Sequence, residues 1–135
     1  MPTSEVKYLG GLRTTAKHLQ SGNEIITDAP VDNHGKGEAF SPTDLVATAL
    51  VQCMMTIIGI YAKNNDVDPG EISADVTKIM ASNPRRIEEI EINLTFKGHN
   101  LDSKQKKKVE NAALNCPVAK SLSSELKQTV RFNFN

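Results

Sequence analysis

The sequence predicts an α+β fold, and three observations predict it. A long apolar helix pattern starting at Ser41 divides the chain. Strand-like segments lie on both sides of it, and two more helical segments precede a closing strand pattern. Strands and helices that are segregated rather than alternating favour antiparallel sheets with helices packed against them. The chain has 135 residues, a length that suits one domain over residues 1–135.

The elements follow in order. From about Lys7 to Asp28 the chain reads as short strands: Leu12 to Leu19 holds β-branched residues, Ser21-Gly22-Asn23 is a turn signal, and Glu24 to Asp28 returns. Pro30 to Ala39 is a loop. Ser41-Pro42-Thr43-Asp44 then marks a helix start, with Ser at the N-cap, Pro at the first helical position and Asp three residues after Ser. Asp44 can reach back to the N-cap N–H as in a capping box, and its charge suits the helix N-terminus. The helix runs to about Lys63. Apolar residues on nearly every face predict that it is enclosed on most sides, with a thin polar stripe at Asp44, Thr48, Gln52 and Thr56. Leu45 to Ala62 has the length of a membrane span, but Gln52, the threonines and the polar cap argue for a core helix.

After Asp68-Pro69-Gly70 the period becomes two. Ile72, Ala74 and Val76 alternate with polar residues, as do Ile90, Ile92, Leu94 and Phe96, with Asn83-Pro84 as the turn between them. This is an antiparallel hairpin with one dry face. A second helix spans about Asp102 to Leu114, and Pro117 starts a third that runs to about Leu126. Val130, Phe132 and Phe134 close the chain as a strand.

Composition narrows the function. Sixteen basic and sixteen acidic residues cancel, which argues against general affinity for nucleic acid or anionic membrane. The lysines at 104, 106, 107 and 108 read as a solvated helix face, and the three histidines have no metal-ligand spacing. Met1 to Lys7 lacks the pattern of a signal peptide, which leads to an expectation of a cytoplasmic protein. Thiols are kept reduced there, so Cys53 and Cys116 are either small core residues or a working redox pair. Cys116 stands before Pro117 at a helix start, where unpaired N–H groups favour a thiolate. Cys53 lies in an apolar helix, where burial disfavours one. On local sequence Cys116 is therefore the more acidic thiol.

The run from Ser41 to Cys53, with proline eleven residues before the cysteine, and the run Asn115-Cys116-Pro117-Val118 resemble the two cysteine motifs of the OsmC/Ohr family of organic hydroperoxide reductases. The order of elements is similar over almost the whole chain. The resemblance implies antiparallel sheets packed around a long buried central helix in an intertwined homodimer. It implies that Cys53 is the peroxidatic thiol and Cys116 the resolving one, with an organic hydroperoxide as substrate, an external dithiol as reductant, and no metal or organic cofactor. It also implies an arginine from the N-terminal strands facing the first cysteine, for which Arg13 is the candidate. The family's well-studied reductases carry a glutamate directly after the helix-start proline, which holds that arginine. This chain has Thr43 there, and Asp44 lies one residue later, about 100° around the helix. That departure leaves room for two other readings: a weakly catalytic small-molecule binding protein that uses the dimer-interface pocket, and a structural dimer with inert thiols.

Overall fold

The computed structural model describes all residues, 1–135. The chain divides into two compact units, Met1–Val46 and Ala47–Asn135.

The first unit is a three-stranded antiparallel sheet of β1 (Ser4–Gly10), β2 (Arg13–His18) and β3 (Glu24–Asp28), in that order. Gly10 and Gly11 both have positive φ, which lets the chain reverse between β1 and β2. Register puts Val6 opposite Ala16 and Ala16 opposite Ile25, so these three share a face. Glu5, Lys17 and Glu24 form a charged row on the other. A loop from residue 29 to residue 40 follows, with the 3-10 turn Val31–Asn33. It returns to the sheet: the Asp28 N–H donates to the Phe40 carbonyl at 3.1 Å, and the Gly37 N–H donates to the Ala29 carbonyl at 3.2 Å. At Gly35 a Cβ would sit 1.7 Å from the Ala29 oxygen, so the turn closes only with glycine there.

Helix α1 (Pro42–Asn65) begins with the predicted capping box. The Asp44 N–H donates to Ser41 Oγ at 3.1 Å, and the Ser41 N–H donates to Asp44 Oδ2 at 3.0 Å. An 18-residue window of the helix has a mean hydropathy of 1.9, enough by length and composition to cross a membrane. A core helix passes the same test, and one face of α1, with Leu50, Val51, Met54 and Ile58, is buried in the second unit. Enclosure is narrower than the sequence predicts. Gln52, Thr56, Gly59 and Ile60 are exposed, so the chain itself covers one side of the helix.

The second unit packs α1 from Ala47 onward with the sheet of β4 (Glu71–Ala81), β5 (Arg86–Lys97) and β6 (Lys127–Phe134) and the helices α2 (Ser103–Leu114) and α3 (Pro117–Ser121). Ile90, Ile92, Leu94 and Phe96 are fully buried, which is the dry face that the alternation predicts. α2 carries a capping box of its own, between Asp102 and Gln105. Two expectations are corrected. The sheet is mixed rather than antiparallel, because β6 pairs with β5 in parallel, with Ile92 opposite Val130 and Phe96 opposite Phe134. A parallel return needs a long crossover, and α2 and α3 within residues 98–126 supply it. α3 also ends at Ser121, not near Leu126. Leu122 is extended, and the Glu125 N–H donates to Ser123 Oγ, so serine side chains compete with the helix for backbone partners.

Phe96 lies at the centre of this packing, with its ring 4.6 Å from that of Phe134 and 6.4 Å from that of Phe132. Phe96→Ala is expected to remove about 3–5 kcal/mol of stability, because the cavity cannot collapse between two paired strands. Urea unfolding at fixed protein concentration measures it, and a loss under about 1 kcal/mol would contradict the packing described.

Candidate functional site

Two clusters contain the residues singled out from the sequence, one in each unit. In the second unit the two cysteines meet. Both are free thiols, and both belong to one packed cluster. Cys53 lies mid-way along α1 and is half-buried. Cys116 is the N-cap of α3 and is 1% exposed. Its Sγ accepts the Ala119 N–H at 3.4 Å, the cap bond expected of a polar atom at that place.

The electrostatics reverse the local expectation for Cys116. Burial pushes its thiol up. The Ala119 N–H pulls it down, and the hydrogen bond and charge of neighbouring Cys53 add to the rise. α3 is one short turn, so the amides at its start cannot outweigh desolvation. Position at a helix start was legible in the sequence, but the closure of the core over that start was not. Cys116 is thus a closed-in, protonated partner beside a more accessible Cys53. This arrangement suits a thiol that waits for its neighbour to be oxidised rather than one that attacks first.

In the first unit Arg13 opens β2 directly opposite Asp28, the last residue of β3. Its Nε donates to Asp28 Oδ1 at 2.7 Å and its Nη2 to Asp28 Oδ2 at 2.9 Å, a two-pronged pair. Nη2 also donates to Glu38 Oε1 at 2.9 Å. The Asp28 side chain is 1% exposed, and its Oδ2 also accepts the Glu38 N–H at 3.1 Å. One carboxylate therefore fixes both the guanidinium and the loop that carries the second carboxylate. The hydrogen bonds to Arg13 hold Asp28 below the usual carboxylate range despite its burial, and Asp28 in turn raises Arg13. Asp44 takes part in the capping box at the start of α1.

Asp28 and Glu38 were missed in the sequence. A signal for Asp28 exists, since it closes a strand whose register sets it across from Arg13. Glu38 lies in a loop with no periodicity. Elsewhere on this sheet, a depression of about 270 Å³ is lined by Glu5, Lys7, Thr15, Lys17 and Glu24. It mixes charges and holds no thiol. No group of three or more His, Cys, Asp or Glu side chains is placed to hold a metal ion.

The comparisons agree with this architecture. No curated protein matches the chain. The crystal structure of a protein of Psychrobacter arcticus 273-4, assigned to osmotic stress induction and the detoxification response, is 57% identical. The match covers 98% of this chain and 96% of that one, with a TM-score of 0.93. An organic hydroperoxide resistance protein OsmC from Legionella pneumophila is 15% identical, covers 98% of each chain and has a TM-score of 0.77. An OsmC like protein from Mycoplasma pneumoniae is 18% identical, covers 97% of this chain and 94% of that one, and has a TM-score of 0.81. At such identities the last two share the fold. The family model for OsmC-like protein matches residues 35–131, a stretch that holds both cysteines and every element from α1 to α3. With that match and the 57% identical relative, the chain belongs to the OsmC-like family.

Proposed function

We propose that the protein reduces organic hydroperoxides with two cysteines, Cys53 attacking and Cys116 resolving. The observation that carries this reading is the meeting of two free thiols of unequal access in one packed cluster. The Cys53 thiolate attacks the O–O bond. Its sulfur becomes a sulfenic acid, and the alkoxide leaves and takes a proton to become an alcohol. The Cys116 thiol then condenses with the sulfenic acid, releasing water and forming a disulfide. An external dithiol returns the two electrons. Sulfur supplies all the redox chemistry, so the cycle needs no metal or organic cofactor. Leu50 is buried and Ala49 and Ile57 are half-buried, one turn either side of Cys53 on α1, which favours alkyl over hydrogen peroxide.

The proposed working form is a homodimer. Val6 and Tyr8 are 64% and 66% exposed on one face of the first sheet, and Ile25 and Ile60 are also exposed. A second copy would cover such apolar surface. We also propose a cytoplasmic protein, and a neutral charge supports the reading that it has no general membrane or nucleic-acid partner. Arg13 is assigned as the cation that favours the Cys53 thiolate.

The test is thiol titration of the reduced protein before and after one equivalent of cumene hydroperoxide, with hydrogen peroxide in parallel. Loss of both thiols as a Cys53–Cys116 disulfide, faster with the organic peroxide, is the expected result. Two thiols that survive long exposure would overturn the reading and favour a binding protein on the same scaffold.

A further inference from the structure

We infer that Gln128 is a positioning residue for the resolving thiol: it ties the one-turn helix that carries Cys116 to the sheet, so that Cys116 stays in place to close onto Cys53. The inference rests on the two-cysteine reading above and names a residue that serves it. Gln128 continues the dry face of β6, in step with Val130, Phe132 and Phe134, and it pairs across from the fully buried Ile90. A polar side chain on such a face needs a partner. Its Nε2 donates to the Ala119 carbonyl at 3.1 Å. Helix α3 ends at Ser121, so no amide of its own reaches that carbonyl. The Ala119 N–H donates to Cys116 Sγ at 3.4 Å. One residue of α3 is therefore held by the sheet through its carbonyl and holds the sulfur through its amide.

The chain places its two thiols with unequal firmness. Cys53 lies in α1, a helix of 24 residues packed into the core. Cys116 caps a helix of five residues, which is too short to hold itself. On its other side the Cys116 N–H donates to the Ala113 carbonyl at 3.2 Å, so α2 fixes the backbone before the sulfur and Gln128 fixes it after. The two thiols are neighbours, since Cys53 acts on Cys116 by hydrogen bond and charge. A disulfide sets narrow limits on the placement of both Cβ atoms, so slack in α3 makes closure less favourable. Gln128, Ala119 and both cysteines belong to one chain and one compact unit, so these contacts do not depend on a second copy.

The test is an equilibrium, which does not depend on the route by which either sulfur is reached. Wild type and Gln128→Met are equilibrated in glutathione buffers, quenched with acid and read by intact mass. One oxidised glutathione forms the Cys53–Cys116 disulfide and leaves as two thiols, so atoms and electrons balance. The value of [GSH]²/[GSSG] at half-oxidation is the effective molarity of the pair. Methionine matches glutamine in length but has no N–H to give, and the effective molarity should fall about three- to tenfold. If Gln128→Met does not fold, Gln128→Glu keeps the shape, turns an acceptor toward the carbonyl and should show the same fall. A side chain that only stabilised the fold would affect reduced and oxidised protein equally and leave the effective molarity unchanged. A fall of less than about threefold, a rise, or a wild type that forms no internal disulfide would overturn the inference. No peroxide takes part, so this result stands apart from that of the peroxide titration.

Discussion

Cys53→Ser is expected to abolish peroxide-dependent thiol loss, whereas Cys116→Ser should allow one turnover and then over-oxidise. The asymmetry follows from what each thiol can reach. Cys53 is the half-buried member of the pair, and without it the remaining thiol is enclosed and pushed up by burial. Loss of the attacking sulfur should cost about three orders of magnitude or more in the oxidation rate. Without Cys116 the first step survives, but the sulfenic acid has no thiol to capture it. Further peroxide carries it to sulfinic and sulfonic acids, which a dithiol cannot reverse. Stopped-flow consumption of one equivalent of cumene hydroperoxide, followed by intact mass, separates the two variants. Equal, full activity in both would remove the two-cysteine cycle from consideration.

Much of the fold was legible because its signals are local. Ser41, Pro42 and Asp44 specify the start of α1 by hydrogen bonds within one turn, and the alternation from Ile90 to Phe96 specifies a face that the sheet then buries. The direction of β6 was not legible. The pattern at Val130, Phe132 and Phe134 fixes which face is dry, but α2 and α3 between the strands decide whether the chain returns parallel or antiparallel. The cysteines divide the same way. Their motifs could be read along the chain, and the resemblance paired them. That burial outweighs a helix-start amide at Cys116 is a product of tertiary packing, and sequence position alone gave the opposite sign. The carboxylates that hold Arg13 were hidden for a related reason. One comes from across the strand and the other from a loop, so no spacing in the sequence joins them.

Those carboxylates make the second large prediction, which concerns Arg13 and Asp28. The guanidinium gives Nε and Nη2 to Asp28 and Nη2 again to Glu38. If Arg13 favours the Cys53 thiolate as proposed, Arg13→Gln should slow Cys53 oxidation near neutral pH. The loss is about tenfold for each pH unit by which the thiol rises, and an opposite charge shifts such a group by about one to three units. Arg13→Lys should recover only part of the rate, because an ammonium keeps the charge but cannot form the two-pronged bond to Asp28. Asp28→Asn tests the support separately. Asp28 is held below its unfolded value of about 3.9, so its ionised form contributes stability above that pH, and the contribution is lost as pH falls through the lowered value. The stability gap between wild type and Asp28→Asn should therefore be widest near neutrality and shrink as pH falls below the unfolded value. A gap that does not change with pH would mean that Asp28 acts through packing rather than charge. A normal oxidation rate in Arg13→Gln would remove Arg13 from the chemistry and leave the Asp28 pair a structural clamp on the loop that carries Glu38.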